Sequence, residues 1–322
     1  MPPQITNLVR RKTAAALLAL SLVALPAIAA PPTGGNLQYE AIPLERTPGN
    51  HLLAHVEING KPAVLTIDSG APISAIAVNR REHFEVTPVT AKSKLPPRLD
   101  VNGVLNLVGI TKSFRLGALV LVDEPVVMLN LERLRGRSSA GGERRIDGIL
   151  GADILLPLKA IVDCERQLLL LKIDPRIPGA IPGIDLRGYR GVRMHLSDGL
   201  NFYVDGSVNK KKVKLMVDTG AVTTSLHLGL MRRMGIPLRK TRYVAASVNL
   251  KESRVQVATI AQFSVGPLDM QSHDVTVFNL EDLIHGGLLD GTPPVAGLLG
   301  LGTLRRYHGI IDFGRQTLYL KQ

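Results

Sequence analysis

One phrase is written twice in this chain. Leu65-Thr66-Ile67-Asp68-Ser69-Gly70-Ala71 returns 150 positions later as Leu215-Met216-Val217-Asp218-Thr219-Gly220-Ala221. Two further blocks follow in the same order and at nearly the same offset. Phe114–Leu134 lies over Phe263–Leu283, with Phe, Gly, Leu and an Asn-Leu-Glu run in common. Ile146–Lys172 lies without a gap over Val295–Lys321, identical at eleven of 27 positions, among them Gly148/Gly297, Gly151/Gly300, Asp163/Asp312 and Gln167/Gln316. Three matching blocks in register mark a duplication, so the chain must fold as two similar units. The expected units are 36–173 and 192–322, joined by a Pro- and Gly-rich linker over 174–191.

Within each half the local signals are those of strands. Runs such as Ala63–Ile67, Ala118–Val122 and Val213–Val217 are short, apolar and bounded by turn residues, and Asn59-Gly60 is a two-residue hairpin signal. Helical pattern is confined to short pieces near Leu228–Met234 and after Gly151 and Gly300. With 31 Gly, 21 Pro and no Trp, the expectation is an all-β chain of two lobes.

The first 30 residues read as a signal peptide. Arg10, Arg11 and Lys12 precede an apolar run from Ala14 to Leu25, and Ala27-Ile28-Ala29-Ala30 offers a small-residue cleavage site. The expected location is periplasmic or extracellular, with no integral membrane segment once the signal is removed. A lone cysteine, Cys164, excludes an intrachain disulfide and reads as a buried apolar residue. The formal charge of +12 becomes +9 without the signal. The basic clusters, Lys210–Lys212 among them, are scattered and lack interleaved aromatics, so nucleic acid is not an expected partner.

Asp68 and Asp218 carry the chemistry. Each ends an apolar strand and begins a turn, and a carboxylate there needs hydrogen bonds. Ser69 and Thr219 supply hydroxyls; the Gly70 and Gly220 amides supply donors. Duplicated units tend to pack about a twofold axis, which brings equivalent loops together. Two facing carboxylates share one proton, so one can accept a proton from water while the other polarises a carbonyl. In a single copy the same tetrapeptide would read as an ordinary Asx turn. No His-Glu-x-x-His, paired-Cys, P-loop or Gly-x-Ser-x-Gly pattern is present, so neither metal nor cofactor is expected. His51 and His55 read as a surface pair. Gly297, Gly300 and Gly302 read as packing glycines.

These residues carry a resemblance. Asp68-Ser69-Gly70-Ala71 and Asp218-Thr219-Gly220-Ala221, with Ile149-Leu150-Gly151 and Leu298-Leu299-Gly300, resemble the aspartic peptidase superfamily of pepsins and retropepsins. Asp147–Leu155 in particular is similar to bacterial retropepsin-like domains. The resemblance implies a bilobal acid-protease fold of two duplicated β-barrels about a pseudo-twofold, and Asp68 and Asp218 as the acid–base pair. It makes Ser69 and Thr219 a hydroxyl grip and sets the apolar-Gly strands behind the loops. Ala71 and Ala221, in place of a hydroxyl residue, remove a donor and favour a raised pair pKa. Gly302 aligns with Asp153 and departs from the pattern. Flaps are expected within Lys94–Thr111 and Tyr243–Thr259.

The expected activity is endopeptidase action on an extended polypeptide by a monomer, with lobe pairing between two chains as the alternative. A peptide-binding module without turnover is the rival reading. A glycosidase with its carboxylates set wider apart is a second.

Overall fold

The computed structural model describes residues 39–132 except 102, the strand pair 136–137 and 143–144, and 146–173. It also describes 184–245 except 198, then 248, 253–280 and 295–322. The signal-like segment 1–30, linker residues 174–183 and the loop 285–294 lie outside these.

The described residues form strands and short helical turns. A nine-stranded sheet comes from residues 45–150 and a ten-stranded sheet from residues 195–300. Each is organised around the same four strands. In the first, Lys61–Ile67 runs parallel to Gly148–Leu150. That strand pairs antiparallel with Ala75–Ala77, itself parallel to Leu119–Leu129. In the second, Lys211–Asp218, Val295–Gly300, Ser225–His227 and His273–Phe278 repeat the arrangement in order and direction. The parallel neighbours are buried on both faces, which is why these segments read as unbroken apolar runs rather than alternating ones.

Glycine at the crossing point is a steric requirement. A Cβ on Gly148 would sit 2.6 Å from Leu65 Cδ2 and against the Ala75 carbonyl, and one on Gly297 would strike the Ser225 carbonyl. The turn at Asn59-Gly60 has both residues at positive φ, 51° and 75°, as a type I′ hairpin needs. Its counterpart, Asn209-Lys210, adopts the same pair of signs without a glycine.

A six-stranded sheet ties the halves together. Its order is Tyr39–Pro43, Leu168–Lys172, Ile161–Asp163, Ile310–Asp312, Thr317–Leu320, Arg190–Arg193. The central register sets Ile161 opposite Asp312, Val162 opposite Ile311 and Asp163 opposite Ile310. Because Ile161 and Asp163 align in sequence with Ile310 and Asp312, this pairing is that of a local twofold axis. Arg190 and Gly191, assigned to the linker from sequence, belong to this sheet, and Ile184, Leu186 and Tyr189 pack on its apolar face. Their Gly-rich composition masks a strand whose partner lies some 130 residues away in sequence.

Five phenylalanines anchor the core: Phe84, Phe114, Phe202, Phe263 and Phe313. Phe313 meets Phe202 edge to face at 5.3 Å. Its counterpart Cys164 is fully buried, and burial pushes its thiol up to about 12, so it is an apolar side chain rather than a nucleophile. Helical segments occur at Ala152–Leu155, Leu228–Arg233 and Leu301–Arg306. Among the described residues no helix is long and apolar enough to cross a membrane.

Candidate active site

Asp68 follows the strand Lys61–Ile67 and Asp218 ends the strand Lys211–Asp218. Each turn folds back onto its own carboxylate. Asp68 Oδ1 accepts from the Gly70 and Ala71 amides at 2.9 and 3.1 Å, and Asp218 Oδ1 from the Gly220 and Ala221 amides at 2.8 and 3.0 Å. Taken alone, each is an Asx turn. What sets them apart is that they face each other. A Cβ on Gly70 would lie 2.6 Å from Asp218 Cγ, and one on Gly220 would lie 2.6 Å from Asp68 Oδ1. Only glycine leaves room there, so each carboxyl group sits against the opposite loop across the seam.

The seam is held by the two hydroxyl residues, both fully buried. Ser69 Oγ donates to the Val217 carbonyl at 2.8 Å and accepts from the Thr219 amide at 3.0 Å. Thr219 Oγ1 donates to the Ile67 carbonyl at 2.8 Å and accepts from the Ser69 amide at 2.9 Å. Four reciprocal bonds thus satisfy both loops using groups of the opposite half. Behind them, Leu150 receives the Asp68 amide at 3.0 Å, and Gly300 stands opposite Asp218 in register. Leu150 and Leu299 fill the main core, while Ile149 and Leu298 face two smaller apolar clusters. Gly151 allows the Ala71 carbonyl and Ser74 amide to approach; a Cβ there would lie 2.8 and 3.0 Å from them.

Burial raises the proton affinity of both acids, and the four loop amides oppose it. Asp218 is pushed furthest, well above the usual carboxylate range, first by burial and then by the charge of Asp68. The two acids titrate as one unit, and the pair holds a proton more tightly than an isolated carboxyl does.

A second layer escaped the sequence reading. Ser74 Oγ donates to Asp153 Oδ1 at 2.7 Å, the Ser74 amide donates to Asp153 Oδ2 at 2.8 Å, and the Gly151 amide donates back to Ser74 Oγ at 2.9 Å. In the second half Thr224 Oγ1 donates to Thr303 Oγ1 at 2.7 Å and accepts from the Gly300 amide at 3.2 Å. Gly302 does align with Asp153, but Thr303, one residue on, takes over its bonding role. The signal was present: Ser74 and Thr224 each stand six residues after their Asp.

Asp153 is raised to about 6 by burial, and Glu124 to about 8 by burial and then by the charge of Asp153. A carboxyl whose folded pKa exceeds its free value stabilises the fold fully below that free value, here 4.5 for Glu124. The contribution is lost as pH rises through about 8. Glu124→Gln is therefore expected to leave thermal stability unchanged at pH 4. At pH 9 it should raise stability by on the order of 2 kcal/mol, several degrees in Tm, as read by calorimetry.

Both flap windows contain antiparallel hairpins. Arg98–Val101 pairs with Val104–Leu116, and Arg239–Ala245 pairs with Ser253–Ile260. Leu99, Val101 and Val248 pack on the same apolar cluster as Ala71 and Ile73, so apolar residues of both windows converge beside the first loop. Leu105 and Tyr243 remain 61% and 63% exposed. His55 lies 3.5 Å from Glu45, and burial lowers the His51 pKa. Among the described residues no three His, Cys, Asp or Glu side chains gather to hold a metal.

Residues 204–306 match the family described as gag-polyprotein putative aspartyl protease. The matched stretch contains Asp218, Thr219, Gly220 and the strand that ends at Gly300. That stretch is similar to the retropepsin-like aspartic peptidases. The match spans 103 residues and lies in the second half of the chain. Similar solved structures include basic 7S globulin from soybean, 11% identical with a TM-score of 0.48 over 88% of this chain and 95% of that one. Another is a retropepsin-like aspartic protease from Rickettsia conorii, 27% identical with a TM-score of 0.30 over 41% of this chain and 98% of that one. No curated protein matches the chain.

Proposed function

We propose that this chain is an exported aspartic endopeptidase acting as a monomer. Asp68 is the general base: its carboxylate accepts a proton from a water held between the two acids. Asp218 is the general acid: its proton polarises the carbonyl of the scissile amide and later passes toward the leaving nitrogen. The observation that supports this most directly is the reciprocal approach of each carboxyl to the glycine of the opposite loop. The hairpins at Arg98–Leu116 and Arg239–Ile260 carry exposed apolar side chains suited to an extended polypeptide, and in this reading they cover it and exclude water. Export rests on residues 10–30 and is checked by finding the processed N-terminus outside the cytoplasm.

The deciding assay incubates the processed protein with a peptide library from pH 3 to 8, with and without a statine-type inhibitor. The expected result is internal cleavage that the inhibitor suppresses at least tenfold. Peptide binding without cleavage at every pH would overturn the peptidase reading in favour of a binding module.

A further inference from the structure

Away from the acid pair, the two halves enclose an open cavity of about 420 Å³. Arg46 and Asn50 of the first half line it opposite Arg305 and Arg306 of the second, with Glu165 and His308 at the join. Its walls are tied across the seam: His308 Nδ1 lies 2.5 Å from Glu165 Oε2, and the Asn50 side-chain amide donates to the Val222 carbonyl at 3.4 Å.

The charges in this cavity are unbalanced. Among the described residues Glu165 is the one acid lining it, and it is already engaged by His308. Arg46 is held in place by donating to Asn50 Oδ1 at 2.5 Å and to the Cys164 carbonyl, neither of which carries charge. Arg306 donates to Gln271 Oε1 at 2.7 Å, also neutral. Arg305 has no side-chain hydrogen bond or ion pair among the described residues. Arg46 and Arg305 line the same cavity, and burial and then the charge of Arg305 depress the proton affinity of Arg46.

Guanidinium forks match the paired oxygens of a phosphate, and Arg46, already held by Asn50 and the Cys164 carbonyl, loses little freedom on binding one. We propose that this cavity binds a phosphate group, clamped between Arg46 and Arg305 across the seam of the two halves. Its volume exceeds that of a bare phosphate, so the natural ligand is a phosphomonoester or phosphodiester with part of its organic group enclosed. A soluble metabolite and an anionic lipid headgroup both offer this chemistry. No lining side chain belongs to the acid pair, so occupancy and peptide cleavage can be measured separately.

The test is calorimetric titration and thermal shift of the processed protein in low-chloride buffer, using inorganic phosphate and glycerol 3-phosphate. Co-sedimentation with phosphatidylglycerol vesicles runs in parallel. Millimolar or tighter binding is expected, weakened at least tenfold in Arg305→Gln, a variant that breaks no bond seen among the described residues. A Lys210→Gln/Lys211→Gln/Lys212→Gln variant, altered on the exposed hairpin, should bind phosphate as the parent does. Vesicle binding lost in Arg305→Gln identifies a headgroup as the source; phosphate binding without co-sedimentation identifies a soluble one. The proposal is overturned if phosphate fails to bind, if Arg305→Gln binds as tightly as the parent, or if the triple lysine variant loses as much.

Discussion

Asp68→Asn and Asp218→Asn are each expected to lower kcat for peptide cleavage by about 10²–10⁴-fold, the contribution of a positioned proton-transfer group. The amide fits the space of the carboxylate, and the loop amides at Gly70, Ala71, Gly220 and Ala221 keep an oxygen to bond. Fold and peptide affinity should therefore survive. Stability supplies an independent readout of the same pair. Both acids have folded pKa values above the ordinary 3.8, so their contribution is complete below that pH. It declines as pH rises through the folded values, because the unfolded chain releases those protons first. Asp218→Asn removes the larger part of this decline. The variant should match the parent in Tm at pH 3 and exceed it at pH 7. Activity in the parent should fall on the acid side as Asp68 takes up a proton and on the alkaline side as Asp218 loses its own. Either Asn variant cleaving at the parental rate would remove the acid pair from the mechanism.

Some of this arrangement is legible in the sequence because its physics is local. The run Leu65–Ile67 ending in Asp68 says that a buried strand delivers an acid to a turn, and its recurrence at Leu215–Asp218 says that this happens twice. Gly148 and Gly297 mark close approach, although the obstructing carbonyls of Ala75 and Ser225 cannot be read from one dimension. What the sequence conceals is long-range. Arg190 and Gly191 look like linker until the pairing of Arg190–Arg193 with Thr317–Leu320 is known. Thr303 substitutes for Asp153 through a one-residue shift that an ungapped alignment hides, since what matters is reach toward Thr224 rather than position. Glu124 becomes a perturbed acid because the strand Leu119–Leu129 buries it and lays it near Asp153. Arg46 and Arg305 lie more than 250 residues apart, and only the closing of the two halves makes neighbours of them.

The hydroxyl grip should be as important to the fold as the acids are to the chemistry. Thr219→Val keeps shape and burial but removes Oγ1, which leaves the Ser69 amide and the Ile67 carbonyl without partners in a water-free seam. Each such orphan costs about 1–3 kcal/mol, so a loss of about 2–5 kcal/mol in urea unfolding is expected, with cleavage falling as the loops separate. Ser69→Ala imposes the mirror-image loss on the Thr219 amide and the Val217 carbonyl. The two changes should not add. Once one hydroxyl is gone the seam opens enough for water to reach the orphaned groups, so the second removal costs less than it does alone. A double variant destabilised by clearly less than the sum is the signature of a single joint. Two mild and additive losses would mean that the halves are held elsewhere, by the pairing of Ile161–Asp163 with Ile310–Asp312, and that the loops merely rest against each other. The distinction bears on catalysis directly: a proton shared between two halves stays shared only while something rigid fixes the distance between its owners.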